Sequence, residues 1–171
     1  DAGKGRLAYE LAQRTDLNIV AIEKDAQQVD IARRRLLEAG LYGTRIICTT
    51  WDLSQLPDYF ANLVVSDGGI LQKPVEIPPQ EIHRLLRPAG GMVLFENAEE
   101  RAPGYLKKTA FSASDINPAP VPKEIPGHWV KFLRGKLEGA GSWNGLYADA
   151  ANTGSSPDYL VRDPLGVLWY G

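Results

Sequence analysis

The sequence has few of the side chains that build metal centres and disulfide bonds. Its 171 residues include one cysteine, Cys48, and two histidines, His83 and His128. A lone cysteine excludes an internal disulfide and a cysteine-based zinc cluster, and two histidines disfavour a multi-histidine metal site. We therefore predict that the chain holds no metal ion.

Long hydrophobic runs and an excess of one charge are also absent. No apolar stretch reaches the roughly 18 residues that a transmembrane helix needs. The formal net charge is −2 at pH 7, which argues against a strong general affinity for nucleic acid or for an anionic membrane. With 44% hydrophobic and 23% charged residues, the composition is typical of a globular domain with its own core. These features do not distinguish a cytoplasmic from a periplasmic location.

Helical and strand patterns alternate over the first hundred residues. The patterns predict helices over residues 6–15, 26–40 and 78–91, and strands over residues 17–25, 44–52, 61–69 and 91–100. Gly40 supplies the C-cap of the second helix, and Pro88 ends the third. One face of the second helix is predicted to carry Val29, Ala32, Leu36 and Leu37. The alternation indicates βαβ units, and hence an α/β fold with a parallel sheet covered by helices on both faces.

This alternation stops near residue 100. Residues 101–127 are rich in proline and small side chains, which predicts a linker or an irregular extension. Residues 128–171 hold three of the four tryptophans and end on LGVLWYG, an apolar run typical of a strand without its partner. We predict one domain over residues 1–100, then the linker, then an incomplete second module.

The first residues, DAGKGRLA, form a glycine-spaced loop that runs into the first helix. Gly3 and Gly5 let the backbone turn sharply and let a ligand approach closely, and the helix N-terminus directs its N–H groups at that ligand. Glu23 follows Gly3 by 20 residues, at the end of a buried strand, where it can accept hydrogen bonds from both hydroxyls of a ribose. The spacing favours a nucleoside-type ligand. The alternative is a chance pair of glycines and a solvated glutamate.

The loop alone fits both a dinucleotide-binding pattern and the shorter glycine loop of S-adenosylmethionine enzymes. Two later segments distinguish them: TTWDLSQLP places Asp52 at the end of a strand, and LLRPAGGMVLF joins a helix end, a proline–glycine turn and a strand. With the loop and Glu23, these segments of residues 1–97 resemble the class I S-adenosylmethionine-dependent methyltransferases. The family's loop has three glycines at alternate positions, and one of them is missing here. If Gly3 and Gly5 are the first two glycines, Leu7 replaces the last; if they are the last two, Asp1 replaces the first.

The resemblance implies a Rossmann-like fold whose first strand would precede Asp1, with S-adenosylmethionine as the cofactor. Asp1 would stand at the first acidic position of the glycine motif, and Gly3 and Gly5 would face the amino-acid end of the cofactor. Glu23 would hold the ribose, and Asp52 would accept a hydrogen bond from the adenine amino group. Other residues implied around the adenine are Lys24, Asp25 and Trp51. The alternatives are that Asp52 is a helix N-cap or turn acid and that Trp51 is a core aromatic.

The segment SDGGIL comes where such enzymes present residues on the substrate side. Ser66 is counted among the cofactor-binding residues, and Asp67 is a candidate to orient a substrate, to act as a base, or to be a turn acid. The Asn/Asp-Pro-Pro-aromatic motif of amino-methylating enzymes is absent from this segment. Elsewhere, Cys48 is predicted to be buried in the core, His83 to lie at the surface, and His128 to be structural.

The tail carries a second resemblance. A tryptophan followed by ADAANTGSS and PLGVLWYG looks like the opening of a pyrroloquinoline-quinone-type β-propeller. The combination of this tail with the methyltransferase-like segment resembles large bacterial proteins of the planctomycete type, in which a methyltransferase-like domain is joined to quinoprotein-like propeller repeats. One blade strand cannot bury its faces without neighbours, and the resemblance does not by itself indicate quinone binding. The alternative is a disordered or loosely docked tail.

The function that these residues predict is methyl transfer from S-adenosylmethionine to an unknown acceptor. The domain would then be one module of a larger, propeller-containing protein. Two alternatives stay open: a non-catalytic cofactor-binding or scaffolding domain, and a fragment of a nicotinamide-dependent oxidoreductase.

Overall fold

Helices and strands alternate in the first part of the chain, as the sequence pattern predicts. A computed structural model describes residues 2–66, 78–96, 116–119, 129–143, 145–146, 148–155 and 158–160. The elements are α1 (Arg6–Arg14), β1 (Ile19–Ile22), α2 (Ala26–Glu38), β2 (Ile46–Thr49), a 3₁₀ turn (Leu53–Gln55), β3 (Leu63–Ser66), α3 (Pro79–Leu85), β4 (Met92–Glu96), β5 (Ile116–Ala119) and β6 (Trp129–Arg134). All seven elements predicted before residue 100 are confirmed.

The strands form two parallel pairs, and one of these pairs belongs to a larger mixed sheet. β1 and β2 run parallel, with Ile19 opposite Ile46 and Ile22 opposite Thr49. β3 and β4 also run parallel, and they belong to a four-stranded sheet with the order β3-β4-β6-β5. β6 is antiparallel to both of its neighbours. The sheet structure therefore contains the predicted parallel pairs together with two antiparallel pairings, both made by β6.

The prediction that the strand pattern stops near residue 100 is wrong. β5 lies inside the predicted linker, and β6 pairs with β4 although it was placed in the second module. The alternating segment WVKFLR buries Phe132 opposite Val93, which is the pattern of a half-buried strand. Pro118 is compatible with β5 because β5 is the last strand in the sheet order, where a missing N–H is tolerated.

Arg134 at the end of β6 adds a polar link to α3. Its guanidinium donates to the carbonyl oxygens of His83 (2.7 Å) and Leu86 at the end of that helix. The same group lies 4.9 Å from the ring centre of Tyr59. The first compact unit accordingly ends at Gly135 and not near residue 100.

The helix α2 has well-defined ends. The side chain of Asp25 accepts from the amides of Gln27 (2.8 Å) and Gln28 (3.4 Å) at its start. At its end, Gly40 adopts a φ of 70°, and the amides of Gly40 and Leu41 return to the carbonyls of Leu37 and Leu36. This is a Schellman motif, which confirms the predicted role of Gly40 in the cap.

One residue of α2 was assigned to the wrong face. Val29, Ala32 and Leu36 are buried as predicted, but Leu37 is 65% exposed. Eight residues after Val29, Leu37 lies about 80° away from it around the helix axis. The buried residues Ala32 and Leu36 lie on the other side of Val29 from Leu37, so Leu37 falls outside the buried face of the helix.

Two clusters of buried side chains form the core of the first unit. The first, which involves α1, α2, β1 and β2, consists of Ala8, Ala12, Ala21, Val29, Ala32, Leu36, Ile46 and Cys48. Small side chains predominate, so the helices approach the strands closely. The second cluster joins α3 to the larger sheet through Ile82, Leu86, Val93 and Phe132.

Cys48 belongs to the first cluster, which confirms that it is a core residue. It is buried on β2, and the guanidinium of Arg33 donates to its carbonyl oxygen at 3.0 and 2.9 Å. Burial raises the pKa of the Cys48 thiol, an effect that the positive charge of Arg33 partly offsets. The thiol is therefore kept in its neutral, unreactive form.

The second compact unit, Lys136–Gly171, is described only in part. Its described residues form turns, and none of them is in a strand. Asp149 accepts from the amides of Ala151 (2.9 Å) and Thr153 (3.1 Å), and the bond from Thr153 is the main cause of a lowered pKa of Asp149. His128 and the run LGVLWYG lie outside the described residues, so the propeller resemblance stays a prediction.

No helix among the described residues is both long and apolar enough to span a membrane.

Gly5 gives a test of the packing between the loop and α2. A Cβ at Gly5 would lie 3.2 Å from both Ala32 Cβ and Leu36 Cδ1, and the φ of Gly5 is 81°. Gly43 has a similar φ of 80° with nothing within 4 Å of its Cβ position, so it is a matched control. We expect Gly5→Ala to lower the free energy of unfolding by about 1–3 kcal/mol more than Gly43→Ala, as measured by urea denaturation. Equal losses would contradict the packing role.

Cys48 gives a test of the first cluster, since the chain has no other thiol. We expect native protein at pH 8 to react with iodoacetamide at least about tenfold more slowly than protein unfolded in urea, because only the thiolate reacts. Raising the pH from 8 to 9 will accelerate alkylation of the native chain by a larger factor than that of the unfolded chain, because burial raises the native pKa and the native thiol stays far from full deprotonation over this range. Equal rates in the two states would show that Cys48 is accessible.

Candidate functional site

The candidate site lies at the carboxyl ends of the neighbouring parallel strands β1 and β2. Glu23 follows β1 directly, and its amide donates to the carbonyl oxygen of Thr49 at the end of β2 (3.0 Å). Trp51 and Asp52 come next after β2. Parallel strands end on the same edge of their sheet, which is where ligands bind in open α/β folds. The structure thus brings Glu23 and the Trp51–Asp52 pair to one edge.

Glu23 fastens the glycine loop to this edge. Its side chain is only 4% exposed, with Oε2 accepting from the amide of Gly3 (2.7 Å) and Oε1 from the amide of Asp25 (3.1 Å). The amide of Ala2 donates to the carbonyl of Ile22 (2.9 Å) and adds a second link to β1. Hydrogen bonds from amides to a carboxylate are among the stronger ones in proteins, so the loop is firmly held.

The site has the chemistry to hold the ribose of a nucleoside. A carboxylate can accept about four hydrogen bonds, and two bonds to Glu23 come from the backbone, so two acceptor positions remain for the hydroxyls of a diol. At Gly3 the φ is 50°, and the position of a Cβ has nothing within 4 Å, so the loop borders open space. Both observations fit a nucleoside ligand at this place.

Gly5 has a different role from Gly3. Its amide donates to the carbonyl of Ala2 (3.0 Å) within the turn, and the side where a side chain would stand faces α2. The structure therefore places Gly5 in the packing of the loop against α2, whereas the resemblance implied a position facing the cofactor. α1 begins at the next residue, and no side-chain hydrogen bond caps it at Gly5. Its N-terminal amides are thus close to the loop.

Trp51 and Asp52 are both exposed. Trp51 is 47% exposed, which excludes the core aromatic alternative, and its amide donates to Thr49 Oγ1 (3.2 Å). Asp52 precedes the 3₁₀ turn, and its amide donates to Gln55 Oε1 (2.9 Å). Asp52 therefore belongs to a turn that sets its position beside Trp51 at the sheet edge, and its contact with the adenine amino group stays a prediction.

The other predicted residues lie in different environments. Lys24 is exposed next to Glu23, and Ser66 is buried at the end of β3. Asp25 acts as the N-cap of α2, a role that the sequence analysis did not give it. His83 is half-buried on α3 and so is less exposed than predicted. Asp1 and Asp67 lie outside the described residues.

No cluster of three or more His, Cys, Asp or Glu side chains that could hold a metal occurs within the described part of the chain.

Two residues near the site were missed by the sequence analysis. Thr49 is buried with its hydroxyl bound to the amide of Trp51, and Arg84 on α3 donates to the carbonyls of Leu53 and Leu56 in the segment after Asp52. A threonine at a strand end is a weak signal for this role. Arg84 gives no local signal, because its partners lie 28 and 31 residues earlier in the chain.

Comparison with known proteins identifies the family to which this geometry belongs. A family model described as a methyltransferase domain matches residues 2–90, which contain the glycine loop, Glu23 and Asp52. The chain belongs to the methyltransferase domain family. This family membership supports S-adenosylmethionine, the cofactor predicted from the sequence. No curated protein matches the chain.

Two solved methyltransferase structures show the same fold, and a third structure is similar over a shorter part of the chain. The S-adenosylmethionine-dependent methyltransferase SibL is 19% identical with a TM-score of 0.52, over 79% of this chain. Magnesium protoporphyrin IX methyltransferase from Synechocystis PCC 6803, with bound S-adenosylmethionine, is 20% identical with a TM-score of 0.50, over 78% of this chain. The [4+2]-cyclase SpnF is 27% identical over 56% of this chain, with a TM-score of 0.48. The fold is Rossmann-like, as predicted.

The chain spans only part of the length of these proteins. The chain spans 49% of SibL, 66% of the Synechocystis enzyme and 36% of SpnF.

Glu23 gives a test of the candidate site. We expect Glu23→Gln to lower the free energy of unfolding by about 1–3 kcal/mol, because the new amide group cannot accept both backbone N–H bonds. We also expect a rise of about tenfold or more in the Kd for S-adenosylmethionine, measured by calorimetry on the full-length protein. The control is Asp30→Asn, which makes the same charge change at an exposed position of α2. An unchanged Kd in folded Glu23→Gln protein would contradict the assignment.

Proposed function

We propose that the protein transfers the methyl group of S-adenosylmethionine to an acceptor bound beside the carboxyl end of β3. The main support is the buried Glu23 carboxylate, which holds the glycine loop next to the exposed Trp51–Asp52 pair. This arrangement offers acceptors for a ribose, an aromatic face for a base and open space at Gly3. Membership of the methyltransferase domain family supports the same chemistry.

In this proposal, the residues of the β1–β2 edge bind and orient the cofactor. Glu23 accepts hydrogen bonds from the ribose hydroxyls, and Trp51 stacks on the adenine ring. Asp52 accepts from the adenine amino group, and Lys24 flanks the adenine pocket. The backbone at Gly3 faces the amino-acid end of the cofactor, and Asp1, at the first acidic position of the glycine motif, is proposed as a further cofactor-binding residue.

The residues at the end of β3 are proposed to serve the reaction centre. When bound, S-adenosylmethionine supplies an electrophilic methyl group for attack by a nucleophilic atom of the acceptor. Ser66 borders the cofactor, and Asp67 orients the acceptor or takes up its proton. Such a transfer requires mainly alignment of the two reactants, which is consistent with the lack of an Asn/Asp-Pro-Pro-aromatic motif in this segment.

We further propose that the domain is one module of a larger bacterial protein. β6 belongs to the first unit, so the segment that resembles a quinoprotein-type propeller would begin after Gly135. The motif ADAANTGSS and the final run LGVLWYG support this proposal.

The stacking role of Trp51 can be tested against a second exposed tryptophan. Calorimetry of the full-length protein should show binding of S-adenosylmethionine and S-adenosylhomocysteine but not of NAD. Trp51→Leu should weaken S-adenosylhomocysteine binding by about ten- to hundredfold, the effect of losing one base–aromatic stack. Trp143→Leu, at a similarly exposed position of the other unit, should leave the Kd unchanged.

Two results would overturn the proposed function. Binding of NAD without S-adenosylhomocysteine would indicate an oxidoreductase, and no heat with any of these ligands would indicate a scaffold. Equal losses in the two tryptophan variants would remove the stacking role of Trp51.

A further inference from the structure

The guanidinium of Arg84 holds the backbone that directly follows Asp52. Its Nη2 donates to the carbonyl oxygen of Leu53 and its Nη1 to that of Leu56, both at 2.7 Å. Leu53 begins the 3₁₀ turn, and Leu56 is the residue that closes it. One side chain of α3 therefore fixes both ends of the turn that positions Asp52.

Arg84 is itself fixed by two carboxylates. Glu81, one turn earlier on α3, accepts from Nε (3.2 Å) and Nη2 (2.8 Å) through Oε2. Asp58, in the same loop as the carbonyls, accepts from Nη1 (2.8 Å). These bonds and the two to carbonyls use all five N–H donors of the guanidinium. A lysine has three donors on a flexible stem, so it cannot reproduce this planar arrangement.

Backbone hydrogen bonds fasten the rest of the loop to the same helix. The amide of Tyr59 donates to the carbonyl of Arg84 (2.9 Å), and the amide of Ala61 to the carbonyl of Leu85 (2.8 Å). The segment between Asp52 and β3 is thus tied to α3 from Leu53 to Ala61. Arg84 supplies the attachment nearest to Asp52.

We propose that Arg84 is a positioning residue for the adenine end of the cofactor. It acts through the 3₁₀ turn: by holding the carbonyls of Leu53 and Leu56, it keeps the Asp52 carboxylate in place to accept from the adenine amino group. This inference rests on the proposed function of Asp52. It adds a residue of α3, 32 positions further along the chain, that determines how well this contact is made.

The test compares two ligands that differ at the adenine amino group. S-adenosylhomocysteine carries this group, and S-inosylhomocysteine has a carbonyl oxygen in its place. The full-length protein should prefer the first ligand. In Arg84→Gln the preference should fall by about tenfold, as expected for one lost hydrogen bond to a charged group, while binding of S-inosylhomocysteine changes little. Arg84→Lys should restore only a small part of the preference.

Arg87→Gln is the matched control, since it removes the same charge from an exposed position three residues later. It should leave the preference unchanged. Asp58→Asn is a milder variant for the case that Arg84→Gln does not fold, because it removes the negative charge from the acceptor of one of the five bonds, weakens that bond and leaves Arg84 present. It should lower the preference in the same direction by a smaller factor. The double variant Asp52→Asn/Arg84→Gln should show the same preference for S-adenosylhomocysteine over S-inosylhomocysteine as Asp52→Asn alone, because Arg84 acts through Asp52.

Three results would overturn the inference. The first is an unchanged preference in folded Arg84→Gln or, where that variant is unfolded, in Asp58→Asn. The second is an equal loss of both ligands, which would indicate a purely structural role. The third is a wild-type protein that binds neither ligand, which would overturn the proposed function together with this inference.

Discussion

The carboxylate of Glu23 is the interaction on which the rest of the candidate site depends. It is buried at the end of β1, where an unpaired charge would be strongly destabilising, and both of its oxygens accept backbone N–H groups. One bond fixes the glycine loop that leads into α1, and the other fixes the backbone that leads into α2. The positions of the loop and of the starts of both helices therefore follow from one side chain, and this side chain is the one proposed to bind a ribose.

Close packing of the helices supports this arrangement. Alanines dominate the cluster where α1 and α2 meet the β1–β2 pair, and Gly5 stands where a side chain would press on Ala32 and Leu36. The glycine loop thus serves two purposes: Gly3 borders the site, and Gly5 lets the loop approach α2. A larger residue in this cluster would move the loop, so the core and the site are mechanically coupled.

The two sides of the site are held in the same chemical way but over different distances in the sequence. Glu23 accepts from an amide 20 residues earlier, and Arg84 donates to carbonyls 28 and 31 residues earlier. In both cases a charged side chain fixes loop backbone, and several hydrogen bonds fix its own orientation. Methyl transfer depends on alignment of two reactants, and rigid loops at the ends of strands provide it.

The sequence by itself determined the seven elements before residue 100, the burial of Cys48 and the position of Glu23 at the end of a buried strand, because spacing and turn residues are local signals. The tertiary structure decided that Leu37 is exposed, that β6 pairs with β4, that Gly5 faces α2 and that Arg84 holds the turn after Asp52. These features depend on which surfaces meet. A local pattern shows that a side chain can be buried or can donate, but the partner is set only when distant segments pack together.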